Sequence, residues 1–213
     1  MREKILLALS GKGDISSPKG MAFVFENLYE MQSLIKCLLA LEKREIFYQE
    51  NYFFTSLFVS HTYSTALLAR QLFSKSKGKD GTPDHSLKLM WYDFLTESER
   101  ESFPKIKCFI DKEFKEDFEK LNRNILHNEI SNAPNLIEIV DKFLNYGAEI
   151  IGIFSKKADC HVKPAISNEI VFKGLNKIFT DEEIEIMKTI RKQYLNELLI
   201  KTNHPNCSIL SKV

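Results

Sequence analysis

Arg123 and His127 are the residues whose types and spacing are best suited to chemistry in this chain of 213 residues. They lie four positions apart near the end of a stretch with helical periodicity, so we expect both on one helix face, one turn apart. An imidazole can accept or donate a proton near neutral pH, and a guanidinium can hold a phosphate. Asn124 and Asn128 add hydrogen-bonding groups beside them. The set predicts metal-free RNA cleavage, in which Arg123 holds the scissile phosphate and His127 activates a ribose 2′-hydroxyl or protonates the leaving oxygen.

A second basic feature is a run that contains no acidic residue and comprises Arg70, Lys75, Lys77 and Lys79. Such a run can contact a phosphate backbone, but a solvated helix end followed by a loop has the same composition. Arg123 and His127 could likewise belong to a solvated helix end, because cationic side chains are favoured near the C-terminal end of a helix dipole. On spacing alone, both explanations stay open.

Other sites that the sequence could encode are weaker. It has no Walker-type phosphate loop, no dinucleotide-binding fingerprint, no nucleophile elbow and no His-Glu-x-x-His. A zinc site could be assembled from Cys160, His161, His204 and Cys207, but adjacent ligands such as Cys160 and His161 cannot easily reach one ion without strain. We therefore expect neither a metal nor a cofactor.

The elements that must position these residues are predicted to be helices. The chain has only 8 Gly and 6 Pro, and none of either lies between Gly20 and Gly78. A single helix over this stretch would be about 85 Å long, whereas a compact domain of this size has a radius of gyration of about 17 Å. The stretch should therefore break at the polar residues 42–51, giving one helix over residues 20–43 and another over residues 47–75.

Later helices are predicted from apolar stripes and start signals. Thr96 with Glu99, and Thr180 with Glu183, have the spacing of capping boxes, and Pro134 suits the first turn of a helix. These signals predict helices over residues 85–95, 104–128 and 134–157 and a C-terminal helical portion near residues 165–201. We expect an all-α, up-and-down helical bundle with extra C-terminal helices.

Composition restricts the class of protein. The chain has 30 Lys and Arg against 29 Asp and Glu, a net charge of +1, which argues against a broad electrostatic surface for nucleic acid. Residues 51–69 are uncharged and long enough to span a bilayer, but eight of them are Asn, Ser, Thr or His, so we expect a buried helix and no membrane partner. The four scattered cysteines predict free thiols and a cytoplasmic protein.

The sequence Arg123-Asn124-Ile125-Leu126-His127 resembles the motif of the HEPN superfamily, whose members include toxin–antitoxin, abortive-infection and CRISPR-associated ribonucleases. That motif begins with Arg, commonly followed by Asn, Asp or His, and ends with His. Here three residues separate Arg123 from His127, which is shorter than the family spacing. The resemblance implies an RNA-cleaving helical bundle that needs no metal.

The resemblance also implies an organisation and partners. It divides the chain into an N-terminal segment (1–19), a HEPN-like bundle (20–157) and a C-terminal helical extension packed on it (158–213). Members of the family generally dimerise so that two motifs face each other, which implies a homodimer with a composite site. RNA and an antitoxin protein are the further partners that it suggests.

Two other functional classes stay open. The first is a non-catalytic helical interaction or regulatory protein, an inactive HEPN-like relative in which Arg123 and His127 are structural. The second is a sensor of small apolar molecules, suggested by the 16 Phe residues. His61 is expected to be a satisfied core histidine, and Trp91 a core residue rather than an aromatic anchor.

Overall fold

The computed structural model of the protein describes residues 1–10, 20–42, 52–74, 86–127, 133–160 and 179–202. Every regular element within these residues is helical, which confirms the all-α prediction. The elements are α1 (Arg2–Ser10), α2 (Met21–Glu42), α3 (Tyr52–Phe73), α4 (Leu87–Phe94), α5 (Glu97–Glu101), α6 (Pro104–Cys108), a π-helical turn (Phe109–Glu113), α7 (Phe114–His127), α8 (Ala133–Lys157) and α9 (Asp181–Thr202).

The helix start signals set the boundaries where they were predicted. The Thr96 hydroxyl accepts from the Glu99 amide at 3.3 Å, and the Glu99 carboxylate accepts from the Thr96 amide at 2.7 Å. The same exchange joins Thr180 and Glu183, with distances of 3.4 and 2.7 Å. Both capping boxes are therefore confirmed, one before α5 and the other before α9.

Contacts between neighbouring helices show that the long helices alternate in direction. Along α2, Gln32 donates to the carbonyl of Ile137 near the start of α8 at 3.0 Å, whereas the earlier Phe25 packs beside Gly147 further along α8. α2 and α8 are therefore antiparallel. α7 also runs antiparallel to α8, because Phe109 just before it stacks on Tyr146 with ring centroids 4.1 Å apart, whereas the later Lys120 lies beside Glu138.

The direction of α3 also alternates with those of its neighbours. Its last residue, Phe73, meets Phe109 with ring centroids 5.8 Å apart, while Leu57 near its start packs against Leu38 and Leu41 at the end of α2. One end of the bundle therefore contains the end of α2, the start of α3, the end of α7 and the start of α8. This arrangement is the predicted up-and-down bundle.

Aromatic rings form the centre of the core. Phe73 and Phe143 are perpendicular, with centroids 5.0 Å apart, and Phe109 meets Phe143 at 5.5 Å. The helices approach closely at Gly147, where an added Cβ would lie 3.1 Å from the Leu72 side chain. Phe73, Phe109 and Phe143 are fully buried, so the apolar groups that drive folding are shared among three of the long helical segments.

The π-helical turn was not predicted. Sequence periodicity predicts one uninterrupted helix with Ile106, Ile110 and Phe114 on a single stripe. The structure also buries Phe109 completely, and the wider turn lets Phe109 and Phe114, five positions apart, both reach the core.

The segment before α2 contributes a helix that the sequence interpretation missed. Ile5, Ala8 and Leu9 of α1 are buried in the same core as the long helices, and Arg2 donates to the carbonyl of Ala158 at 2.9 Å. Residues 1–19 were predicted only as an N-terminal segment. A helix of nine residues has little stability by itself, so packing on the core stabilises α1.

α3 contains most of the uncharged stretch that raised the question of a membrane span. Its buried hydroxyls are paired within the helix, since Thr62 donates to the Phe58 carbonyl at 2.9 Å and Thr65 to that of Thr62 at 2.8 Å. Among the described residues, no helix combines the length and the apolar content needed to cross a lipid bilayer.

α9 packs on α2 and α8. The apolar stripe of this helix predicts six inward residues. Ile184, Met187, Tyr194 and Leu195 are buried and Ile190 is half-buried, whereas the side chain of Leu198 lies outside the described part of the structure. The predicted helical portion before residue 179 lies outside the described residues.

Candidate functional site

The predicted catalytic residues lie on the last two turns of α7. The structure describes the helical backbone through His127 and the side chains through Leu121, and Asn128 lies outside the described residues. In this register, positions 123 and 127 are about 6 Å apart along the helix axis and share one face. Asn124 directly follows Arg123 and is therefore about 100° further around the helix. The backbone therefore has the one-turn spacing that the sequence predicted.

A groove of about 380 Å³ lies between α7 and α8, next to these turns. It is lined by Asp117, Lys120, Glu138, Ile139 and Lys142. Lys120 lies three positions before Arg123 and seven before His127, so helical register places all three positions on the same face of α7.

Both lysines of this groove form ion pairs with nearby carboxylates. Lys142 contacts Glu113 at 2.5 Å and Asp117 at 2.7 Å, and Lys120 contacts Glu116 at 2.7 Å. Partial burial lowers the pKa of Lys142, but the hydrogen bonds to Asp117 and Glu113 together outweigh burial and raise it. Because two carboxylates and two ammonium groups line the groove, it has no net charge that would attract a phosphate.

Arg70, the one residue of the basic run that the structure describes, is separated from the end of α7. Arg70 is exposed in the last turn of α3, three residues before Phe73. The ring of Phe73 packs against that of Phe114 at the start of α7, with ring centroids 5.9 Å apart. Positions 123 and 127 lie more than two turns further along α7, roughly 13 Å or more from Phe114 at 1.5 Å per residue. Lys75, Lys77 and Lys79 lie outside the described residues.

The main polar cluster of the described structure was not predicted. The buried Arg191 of α9 pairs with Glu30 of α2. The Asp141 carboxylate of α8 accepts hydrogen bonds from Lys36 at 2.7 Å and from Tyr194 at 2.8 Å. Arg191 follows Met187 by four positions on the apolar stripe of α9, and a charged residue at such a position was the signal that could have indicated this cluster.

The remaining aromatic and histidine candidates have structural roles. Trp91 is fully buried, which confirms it as a core residue. Its neighbour Tyr92 is exposed and donates to the Asp111 carboxylate at 2.5 Å. His61 is half-buried, and its Nδ1 lies 2.8 Å from the Leu57 carbonyl, an interaction within α3.

Metal ligands do not converge in the described part of the chain, where no three His, Cys, Asp or Glu side chains could hold an ion together. Of the four residues weighed for zinc, only Cys160 is described, and it is a free thiol like Cys37 and Cys108.

Comparison of the chain with protein-family models, with curated proteins and with solved structures gives no match.

Proposed function

We propose that the protein is a metal-independent endoribonuclease of a defence or toxin system. The observation that carries this proposal is the helical backbone of α7, whose register supports a one-turn spacing of Arg123 and His127 at the end of a core helix. A core helix is a rigid support, and catalytic groups must be held within a fraction of an ångström.

The chemistry needs only groups that this motif supplies. His127 removes the proton of a ribose 2′-hydroxyl, the 2′-oxygen bonds to phosphorus, and the bond from phosphorus to the 5′-oxygen breaks. The leaving 5′-oxygen takes a proton from an imidazolium, which is His127 after the first transfer or its copy in the second chain. Arg123 stabilises the charge on the non-bridging oxygens. The products are a 2′,3′-cyclic phosphate and a 5′-hydroxyl.

The charge distribution suggests local rather than extended RNA binding. The groove beside the motif carries as many carboxylates as ammonium groups, and the chain has a net charge of +1. Because each phosphate neutralised by a protein cation steepens the salt dependence of binding, a site with few phosphate contacts should bind RNA with a shallow salt dependence.

The proposal includes a homodimer in the cytoplasm. The HEPN resemblance supports a composite site to which each chain contributes one Arg123 and one His127. An antitoxin protein that covers this site is the further partner that a toxin would require.

Removal of the imidazole tests the proposal. Wild-type protein is incubated with labelled RNA in EDTA beside His127→Ala, and His61→Ala serves as the matched histidine control. We expect wild type and H61A to cleave, and H127A to be at least 100-fold slower, as expected for loss of a general acid–base group.

Two outcomes would contradict the proposal. Equal cleavage by wild type and H127A would remove His127 from the mechanism. Absence of cleavage by both would favour the alternative of a non-catalytic helical interaction protein. The groove gives no support to a sensor of apolar molecules, because four of its five lining residues are charged.

A further inference from the structure

The C-terminal helix α9 is attached to the bundle differently from the core helices. Its first half contributes Ile184 and Met187 to a small apolar cluster with Cys37, Leu38 and Leu41 of α2, separate from the main core. Among the side chains of α9 that the structure describes, Tyr194 and Leu195 reach the main core. The described apolar contacts of α9 are therefore divided between this small cluster and the edge of the main core, outside the aromatic centre that α3, α7 and α8 share.

A buried ion pair forms the centre of the α9 interface. The guanidinium of Arg191 donates from both Nε and Nη2 to the carboxylate of Glu30, and the Nε distance is 3.2 Å. Only 6% of the Arg191 side chain and 16% of the Glu30 side chain are exposed. The Tyr29 hydroxyl donates to the Arg191 carbonyl at 3.4 Å.

A second polar contact lies about one turn further along α9. Tyr194 donates to the Asp141 carboxylate, which also accepts from Lys36 and, at 3.1 Å, from Gln32. The Tyr194 ring stacks on that of Tyr29, with centroids 5.6 Å apart. These bonds link α9 to both α2 and α8.

A buried ion pair adds little net stability to the docked geometry, but loss of one partner leaves the other charge buried and unpaired, which is strongly destabilising. Burial of two charges costs desolvation that their attraction only partly offsets, and water recovers that cost when the pair opens. The apolar contacts among the core helices have no such compensation. Because the centre of the α9 interface is polar, opening of α9 should require less free energy than unfolding of the core, as in other sub-global opening reactions.

We infer that α9 is a latch, a helix that opens as a unit while the bundle of α2, α3, α7 and α8 stays folded. The Glu30–Arg191 ion pair keeps this helix docked. Closed, the latch covers the apolar strip of α2 formed by Cys37, Leu38 and Leu41. Open, it exposes that strip to solvent. This device does not depend on the proposed ribonuclease activity.

The thiol of Cys37 reports the state of the latch. It is 2% exposed and donates to the Met187 carbonyl of α9 at 3.4 Å, so movement of α9 away from α2 exposes it to a thiol reagent. Cys108, Cys160 and Cys207 are replaced by Ser to leave this single thiol.

The test compares Glu30→Gln with the matched control Glu185→Gln in this full-length background. Glu185 lies on α9 itself, and its ion pair with Lys188 is exposed. Labelling of Cys37 by an aromatic disulfide is followed under native conditions, and amide hydrogen exchange of α8 is measured in parallel. We expect at least tenfold faster labelling in E30Q, less than twofold change in E185Q, and α8 exchange unchanged within twofold in both.

Three results would overturn the inference. In one, E30Q leaves the rate of Cys37 labelling unchanged, which would show that the Glu30–Arg191 pair does not keep α9 docked. In another, E30Q accelerates labelling and α8 exchange by the same factor, so α9 unfolds only with the core. If E30Q fails to fold, wild-type exchange decides: we expect α9 amides to exchange at least tenfold faster than the slowest α8 amides, and equal rates would exclude a separate latch.

Discussion

Three ionisable side chains at the interface of α9 with the bundle, Tyr29, Cys37 and Tyr194, have raised pKa values. Burial raises the pKa of the Cys37 thiol from 9.0 to about 12, against the opposing effect of the nearby Arg191 charge. Burial also raises the pKa of Tyr29 and that of Tyr194, and the Asp141 carboxylate adds to the effect on Tyr194. Each group therefore loses its proton more readily in the unfolded chain than in the folded one.

These shifts predict loss of stability at alkaline pH. Below the unfolded pKa values both states are neutral, and the stabilisation is fully present; as the pH rises through 9 and beyond, only the unfolded state ionises. The free energy of unfolding should then fall by up to about 1.4 kcal/mol per pH unit for each group. Urea unfolding at pH 8, 9, 10 and 11 measures the slope.

Cys37→Ala isolates the thiol contribution to this slope. Between pH 9 and 10, where the thiol is the first of the three groups to ionise in the unfolded chain, the variant should show a clearly smaller loss than wild type. An identical slope in the two proteins would show that Cys37 is not protected from ionisation in the folded state.

At the level of single residues, spacing could predict partners along one helix but not across helices. The i, i+4 relation of Arg123 and His127 depends only on helical geometry, and the backbone of α7 has it. The pairing of Glu30 with Arg191 joins residues 161 positions apart, and no local pattern encodes such a contact.

At the scale of elements, the α9 capping box offers a second test of how α9 is held. Thr180→Ala removes the acceptor for the Glu183 amide and should destabilise the first turn of α9 by about 1 kcal/mol. Amide exchange in the first half of α9 should accelerate roughly fivefold.

The matched control is Thr96→Ala, which removes the same type of cap from α5. It should leave α9 exchange unchanged. Equal acceleration of α9 by both variants would show that the cap acts through global stability and not through α9 itself.

The helices themselves were largely predictable, because apolar periodicity and capping residues are local signals. α2, α3, α8 and α9 begin and end within a few residues of the positions that these signals indicate wherever the chain is described. α1 and the π-helical turn were not predictable. Both depend on tertiary packing, of Ile5 and Leu9 in one case and of Phe109 in the other.

At the scale of the whole molecule, the alternating directions of the helices determine what lies near the candidate site. Because α7 runs antiparallel to α3, its last turns lie at the end of the bundle remote from Arg70 and Phe73. Arg70, the described residue of the basic run, therefore lies apart from the backbone positions of Arg123 and His127. Topology of this kind follows from which apolar faces pack together, and a single sequence does not show this directly.

The small net charge has the same bearing on function. A total of +1 and a charge-balanced groove beside α7 mean that any RNA recognition must come from a few residues at a local site. We propose that this site cleaves RNA by attack of the neighbouring 2′-hydroxyl, with Arg123 and His127 as the catalytic groups.

The most direct test of that claim uses two RNA oligonucleotides in EDTA. One is all ribose and identifies the cleaved bond; the other carries a single 2′-deoxyribose immediately 5′ to that bond. We expect wild-type protein to cleave the first to a 2′,3′-cyclic phosphate and a 5′-hydroxyl and to leave the same bond of the second intact. Cleavage of the deoxy-substituted bond, or a 5′-phosphate on the product, would contradict this proposal.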